Sequence, residues 1–196
     1  MGRNKKEIIR EAAIKVMAEL GYHHSTTDRI AQEAGLAVGT IYNYFGNKEE
    51  ILEYIFAVEV EKRQTAFEKQ LQSEKPIFEK LEALLELHFS EIAKNIAAGQ
   101  ILVRERQHPG KKEANGISAF LDGVPQLIQA LLDTALEQGE IRPGSTRLLA
   151  AAIFGAVQEV AATAVFSQDK QLQKEILENA ASELVHFFSL GMKASP

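Results

Sequence analysis

The chain has 196 residues, of which 45% are hydrophobic and 25% are charged, and this composition is typical of a soluble globular protein. It contains no cysteine, which excludes disulfides, thiolate metal sites and cysteine nucleophiles. The longest purely apolar run, residues 148–157, is far shorter than the ~20 residues that span a bilayer. No apolar block follows the basic N-terminus, so we expect no signal peptide, a cytoplasmic protein and no membrane association.

The net charge of −5 is unevenly distributed along the chain. Residues 1–48 carry seven Lys or Arg and five Asp or Glu, a net charge of +2. The remainder carries 15 basic and 22 acidic residues, a net charge of −7. This asymmetry favours a nucleic-acid-binding module that is attached to a larger acidic body.

Helical patterning extends over the whole chain, with no sustained period-2 alternation and only five prolines. The first predicted helix covers residues 4–20 and ends at Gly21. A run of N-cap residues then opens a short helix within residues 25–34, which Gly35 ends. A third short helix is predicted over residues 38–44.

Six further helices are predicted in the rest of the chain. Asn47, with Glu50 three residues later, resembles a capping box and opens a helix that continues to about residue 72. Pro76 opens the next helix, whose apolar stripe continues to Ile96. A long segment follows over residues 114–138, and Pro125 should kink or split it near Gly123. The other three predicted helices cover residues 99–107, 145–167 and 170–191.

Residues 27–45 form a candidate helix-turn-helix, because two short helices meet at a tight corner. In the second helix Ile41 and Phe45 face a small core with Ile30, which leaves a polar and aromatic face outward. A two-turn helix with one buried edge is of a size to enter a major groove. The predicted DNA-binding residues are Thr27, Val38, Gly39, Thr40, Tyr42, Asn43, Tyr44 and Lys48, with possible help from the basic arm Arg3, Lys5 and Lys6.

The positions of three of these residues favour contact with DNA. Gly39 leaves no side chain between the helix N-terminus and DNA, and this allows close backbone approach. Thr27 and Lys48 stand at the starts of helices, where they can meet phosphates. The alternative for Tyr42 and Tyr44 is packing against neighbouring helices.

A set of short motifs runs through the N-terminal stretch: Gly21-Tyr22, Ser25-Thr26-Thr27, Ile30-Ala31, Ala34-Gly35, Gly39-Thr40-Ile41-Tyr42-Asn43-Tyr44-Phe45 and Lys48-Glu49-Glu50. With these motifs, about residues 5–55 resemble the DNA-binding signature of TetR-family repressors. A departure is Ala37, where the family commonly has a capping Ser; losing that cap should cost ~1 kcal/mol and leave the recognition helix more mobile. The resemblance implies a homodimer whose two heads read a palindromic operator ~34 Å apart and are released when a ligand in the body changes their spacing.

The last two predicted helices are too apolar for the surface of a monomer. The simplest explanation is a four-helix interface with two helices from each protomer, and the resemblance implies the same. The alternative is burial within one protomer.

Polar residues interrupt the apolar stripes of the body at His88 and Gln158. Buried polar groups need partners, and a ligand is one candidate for that role. A histidine that is satisfied within the core is the competing interpretation of His88. The candidate effector pocket consists of His88, Phe89, Ile92, Leu121, Ile128, Phe154 and Gln158.

Three further motifs are Gly39-Thr40-Ile41-Tyr42 preceded by Ala37, Arg104-Glu105-Arg106-Gln107, and Ile153-Phe154-Gly155 with Glu159 downstream. With these motifs the body also resembles, more loosely, the acyl-CoA-responsive repressors of fatty-acid degradation in the same family. This resemblance implies a long-chain acyl-CoA effector, whose phosphates need cations such as Arg104, Arg106, Lys111 and Lys112. A solvated basic loop, and a multidrug or other small-lipophile sensor, are the alternatives.

Two function classes compete with this interpretation. Glu105 with His108, and Glu183 with His186, have the spacing of a di-iron bundle, although the first pair abuts a helix end and His186 lies off the apolar stripe. The second competing class is a helical scaffold protein with no DNA role, and it gives the candidate DNA-binding residues no function. We therefore predict an all-α regulator, not an enzyme and without cofactor, with a helix-turn-helix domain over residues 1–47 and an effector-binding and dimerisation domain over residues 48–196.

Overall fold

The computed structural model describes residues 4–105 and 117–194, except the side chains of residues 117–122. The described residues form helices and no extended strand; an isolated bridge pairs Ile141 with Lys193. The all-α prediction is confirmed. The helices are α1 (Lys5–Leu20), α2 (Thr27–Ala34), α3 (Val38–Tyr42), α4 (Lys48–Leu71), α5 (Ile77–Lys94), α6 (Ile96–Glu105), α7 (Ile117–Glu137), α8 (Thr146–Phe166) and α9 (Lys170–Met192).

Local capping explains where the first two helices begin and end. Asn4 accepts a hydrogen bond from Lys6 N–H at the start of α1, and Thr26 accepts one from Arg29 N–H at the start of α2. Gly35 ends α2 with a φ of 64°, a left-handed conformation that glycine adopts without steric cost. The corner between α2 and α3 is therefore specified by its own residues.

The third helix is shorter than predicted, because it ends at Tyr42 rather than at residue 44. The N–H groups of Tyr44 and Phe45 both bond to the carbonyl oxygen of Ile41, at 2.9 and 3.0 Å, and form a closing turn. Ala37 at the N-cap makes no side-chain cap, as the departure from the family pattern predicted. A recognition helix of this length depends on packing rather than on its own hydrogen bonds.

The fourth helix begins with a variant of the predicted capping box. Asn47 Oδ1 accepts from Glu50 N–H at 2.9 Å, as expected. The Glu50 carboxylate reaches Gly46 N–H at 2.7 Å. The helix then continues to Leu71, close to the predicted end.

The structure differs from the predicted helix limits in the body at two places. The stripe that was assigned up to Ile96 breaks at Asn95, whose Oδ1 accepts from Ala98 N–H at 3.0 Å, and α6 therefore begins three residues before the predicted start. Pro125 does not split α7, which is continuous from Ile117 to Glu137, and a kink at Pro125 stays a prediction.

Two hydrophobic clusters organise the molecule. The first lies under α1–α3 and is completed by residues of α4 and α6; we call this part the head. The second lies between α5, α7, α8 and α9 and forms the body. The head cluster comprises Ile9, Ala12, Ala13, Ile14, Val16, Met17, Ile30, Ala31, Ile41, Phe45, Ile51, Leu52, Ile55, Phe56, Ala98 and Ile101.

By length and composition alone, α8 is long and apolar enough to cross a membrane. Within the structure, 39% of its most apolar segment is buried. One side of it carries Ile153 and Val165, which are almost fully buried in the body. The opposite side carries Leu148, which is 71% exposed. In water, a helix that is apolar on two sides needs a second surface to cover it.

Candidate DNA interface and effector cavity

The short helix α3 separates a buried side from an exposed side, as the sequence predicted. Ile41 is fully buried and Phe45 is 4% exposed, whereas Tyr42 and Tyr44 are 53% and 42% exposed. Both tyrosine rings are therefore partly exposed at the surface, and a DNA contact by either stays a prediction. Gly39 and Asn43 are also exposed, whereas Val38 and Thr40 are half-buried.

A hydrogen bond joins the two helices of the helix-turn-helix on this exposed side. Thr27 Oγ1 and the Tyr42 hydroxyl are 3.1 Å apart, with either oxygen able to donate. The bond links the first residue of α2 to the last residue of α3. Two predicted DNA-contacting groups are thus held together, which reduces the rotamer freedom lost on binding.

The ammonium group of Lys48 is bound within the protein itself. Its Nζ donates to the carbonyl oxygens of Tyr22 and Ser25, at 2.6 and 2.8 Å, and lies 4.3 Å from the centre of the Tyr22 ring. Burial lowers the pKa of Lys48. This geometry ties α4 to the loop before α2; a phosphate contact by Lys48 stays a prediction.

Only part of the predicted basic arm is described. Arg3 lies outside the described residues, and Lys5 is exposed. Lys6 Nζ lies over the rings of Tyr54 and Phe45, at 4.3 and 5.4 Å from their centres. These cation–π contacts hold the start of α1 against Phe45 and against Tyr54 of α4.

An apolar surface lies along one side of α8 and α9. Its large members are Leu148, Phe166, Leu172, Phe187 and Leu190, which are between 38% and 74% exposed. Ala151 and Gly155 lie between Leu148 and Phe166 on the exposed side of α8, and their small size permits close approach of another helix. We call this set the C-terminal apolar face.

A cavity lies along the body cluster, with about 940 Å³ of atom-free space including its opening to solvent. Helices α4, α5, α6, α7 and α8 all contribute to its wall, which is mostly apolar. A mostly apolar wall of this kind suits a lipophilic ligand. The lining residues are Glu59, Val60, Arg63, Phe67, Leu84, Leu85, Leu87, His88, Ile92, Gly99, Leu102, Val103, Val124, Ile128, Phe154, Val157, Gln158 and Ala161.

Charged and polar groups interrupt this wall where α4 meets α5. Arg63 Nε donates to His88 Nδ1 at 3.2 Å, and Arg63 Nη1 donates to a Glu59 carboxylate oxygen at 3.1 Å. Burial, with a smaller contribution from the Arg63 charge, lowers the pKa of His88 from 6.5 to about 3. The imidazole is therefore neutral at physiological pH.

Glu59 connects this wall to the head. Its carboxylate, on a residue only 4% exposed, lies 3.1 Å from Lys62 Nζ and 3.7 Å from an Arg10 guanidinium nitrogen of α1. Together with Arg63, three cations surround one buried carboxylate. Lys62 also binds Glu91 at 3.1 Å, which joins α4 to α5.

The structure brings together most of the predicted effector residues. His88, Ile92, Ile128, Phe154 and Gln158 line the cavity. Phe89 does not; it lies about 100° further around α5 than His88 and is 1% exposed in the body core, and a contact between Phe89 and an effector stays a prediction. The backbone of Leu121 lies in α7, and its side chain is outside the described residues.

The predicted cations near the cavity are only partly described. Arg104 is absent from the cavity wall; its Nη1 donates to the carbonyl oxygen of Ala18 at 3.2 Å, and its guanidinium lies 5.2 Å from the centre of the Phe166 ring. Arg106, Lys111 and Lys112 fall outside the described residues. A role for any of them towards phosphate stays a prediction.

Sequence reasoning missed the contribution of α4 to the cavity. Glu59 and Arg63 are four residues apart and flank Val60 on a helix that was treated only as a connector. The four-residue spacing of these opposite charges, on the same helix as Phe67, was the sequence feature that could have indicated this contribution.

The di-iron alternative gains no support from the described residues, among which no three His, Asp or Glu side chains gather as a metal site requires. Glu183 and His186 are both exposed on α9. His108, the partner proposed for Glu105, lies outside the described residues.

Comparison with known proteins identifies the family. A family model for bacterial regulatory proteins, tetR family, matches residues 9–55, and one for the tetracyclin repressor-like C-terminal domain matches residues 74–162. The chain is 32% identical to the fatty acid metabolism regulator protein of Bacillus subtilis, over 93% of this chain and 94% of that protein.

Two solved structures of fatty-acid regulators have the same fold as this chain. The fatty acid degradation regulator FadR from Bacillus halodurans has a TM-score of 0.79 and 29% identity, covering 94% of this chain and 96% of its own. FadR from Bacillus subtilis, in complex with stearoyl-CoA, has a TM-score of 0.74 and 31% identity, covering 90% and 97%. With an N-terminal helix-turn-helix and a larger helical body of the same architecture, the chain belongs to the TetR family of bacterial transcriptional regulators.

Proposed function

We propose that the chain is a homodimeric repressor of genes of fatty-acid metabolism, which binds a palindromic operator and is released by long-chain acyl-CoA. The observation that carries the proposal is the apolar cavity, whose wall includes Glu59, the carboxylate that also meets Arg10 of the head. The similarity to a fatty acid metabolism regulator, and to a FadR crystallised with stearoyl-CoA, supports this choice of effector. The protein acts in the cytoplasm as a regulator and not as an enzyme.

In this proposal the head reads DNA with the exposed side of α3. Tyr42, Tyr44 and Asn43 face outward together and are candidates for base and phosphate contacts. Two heads need to reach successive major grooves, ~34 Å apart, so the recognition helices require a fixed separation. The functional division into residues 1–47 and 48–196 belongs to the same proposal.

The C-terminal apolar face supports dimerisation. Leu148, Phe187 and Leu190 are each at least 70% exposed, and pairing α8 and α9 with a second copy removes all three from water. A C2 arrangement uses the same surface on both protomers, which also places two identical heads for a palindrome.

The test starts with selection of the operator from a random duplex library by the purified protein. Fluorescence anisotropy at several salt concentrations then measures operator affinity, which we expect to fall steeply as salt rises. Palmitoyl-CoA is expected to weaken operator binding at least tenfold, whereas coenzyme A alone leaves it unchanged. Release by an unrelated lipophile but not by palmitoyl-CoA would replace this proposal with the small-lipophile sensor, and the absence of sequence-selective DNA binding would contradict the repressor function itself.

A further inference from the structure

Two buried hydrogen-bond donors in the cavity wall lack an acceptor within the described part of the chain. They are Arg63 Nη2 and His88 Nε2. Both residues line the cavity, and the rest of Arg63 is fully engaged with Glu59 and His88. An unsatisfied buried donor is costly, so the pair needs an explanation.

The contact between the two side chains determines the character of His88 Nε2. An arginine Nε–H is always a donor, so His88 Nδ1, which lies 3.2 Å from it, must be the acceptor. A neutral imidazole that accepts at Nδ1 carries its proton at Nε2. The lowered pKa of His88, about 3, agrees with a neutral ring. Arg63 Nη2 is a donor in every protonation state, so two residues of the cavity wall each carry a buried donor that still needs an acceptor.

The surrounding charges limit what kind of oxygen fits. Glu59 already provides the counter-charge of Arg63, and it lines the same cavity. The remaining wall near α5 consists of apolar groups such as Leu84 and Ile92. A ligand that supplies one acyl oxygen on a long alkyl chain satisfies the donors and fills the apolar space at the same time.

We propose that Arg63 and His88 form a two-donor site for the acyl oxygen of the effector, which is the carbonyl oxygen of a thioester or an oxygen of a free carboxylate. The inference rests on the proposed function and deepens it, because it assigns the atoms that distinguish an acyl ligand from any other lipophile. A site built to hydrogen-bond an oxygen discriminates strongly against an analogue that lacks it, since the donors are then left unpaired. A water molecule in the cavity is the competing acceptor.

The test compares three ligands by isothermal titration of the full chain. Palmitoyl-CoA carries the thioester oxygen, S-hexadecyl-CoA replaces that carbonyl with a methylene group, and palmitate carries a free carboxylate. We expect palmitoyl-CoA to bind about 30-fold more tightly than S-hexadecyl-CoA, as the loss of one charge-assisted and one neutral hydrogen bond implies. This comparison needs no variant, so a folding defect cannot obscure it.

Two variants and a control assign the effect to the donors. His88→Phe and Arg63→Met are each expected to reduce the ratio of the two CoA affinities to within about threefold, chiefly by weakening palmitoyl-CoA. Phe154→Leu, which removes apolar contact from the same cavity, should weaken both ligands alike and preserve the ratio. Thermal unfolding of each variant verifies that it is folded.

Each outcome has one meaning. Equal affinity of the two CoA ligands for the unmodified protein overturns the two-donor site and leaves the acyl-CoA proposal standing, with water as the partner of the donors. Tight binding of palmitate alone supports the site, assigns the oxygen to a free carboxylate and overturns acyl-CoA as the effector. Failure of all three ligands to bind overturns both proposals.

Discussion

The head and the body place their binding groups differently relative to their hydrophobic cores. In the head, Ile41 enters the core while Tyr42, the next residue, remains outside it, so binding surface and core are separate. In the body, residues such as Ile92 and Val157 belong both to the core and to the cavity wall. A substitution on the head surface should therefore change affinity alone, whereas one in the cavity wall should change affinity and stability together.

The largest expected effect tests the body. Phe154 is 8% exposed and lines the cavity, so Phe154→Ala should lower the free energy of unfolding by about 3 kcal/mol and weaken palmitoyl-CoA at least tenfold. Urea denaturation and isothermal titration measure the two effects. Phe89→Ala is the matched control: it removes a ring from the same core, but not from the wall, and should destabilise with a smaller loss of effector affinity. Equal losses of affinity in both variants would break the distinction between wall and core.

The second prediction tests the head. Tyr42→Ala should weaken operator binding by roughly 10- to 30-fold, about 1.5–2 kcal/mol, and leave unfolding and dimerisation unchanged, because the side chain is 53% exposed. Tyr42→Phe removes only the hydroxyl that meets Thr27 Oγ1, and so separates the ring from its hydrogen bond. Unchanged operator affinity in Tyr42→Ala would remove this residue from the DNA interface.

The smallest effect concerns pH and sharpens the account of the cavity. His88 has a folded-state pKa of about 3, below its ordinary 6.5. Below pH 6.5 the unfolded chain therefore binds a proton at His88, whereas the folded chain does not until the pH approaches 3. The free energy of unfolding should therefore decrease as pH falls from 6.5 towards 3, by about 1 kcal/mol between pH 7 and pH 5.5. Urea denaturation across this range measures the slope, and His88→Phe should flatten it. A slope that persists unchanged in the variant would assign it to other groups.

The head was largely predictable because its determinants are close together in the sequence. Thr26 and Gly35 fix both ends of α2, and the four-residue spacing of Ile41 and Phe45 fixes which side of α3 is buried. Local hydrogen bonding and periodicity are enough for such an element. What was missed there, the engagement of Lys48 with carbonyl oxygens more than twenty residues earlier, is a tertiary contact.

The cavity was only partly predictable because five helices assemble it. Periodicity identified His88 and Ile92 on an apolar stripe, but not how α5 is rotated, and Phe89 was placed on the wall for that reason. The contribution of Glu59 and Arg63 depends on how α4 crosses α5, which no local pattern specifies. Helix ends were misplaced where one polar side chain decides them, as at Asn95.

Helices from the rest of the chain complete the core of the head, and this limits which truncations and chimeras of the protein can fold. Ile51 and Ile55 of α4, together with Ile101 of α6, close the cluster beneath α1. A fragment that ends at residue 47 leaves that apolar surface open, and a chimera that joins a foreign head to this body leaves Glu59 without Arg10. If the exposed side chains of α3 read the operator, as proposed, exchange of operator specificity is best done by replacing those side chains alone. The exposed side chains of α3 can be exchanged, whereas the core residues of the head beneath them have to be kept.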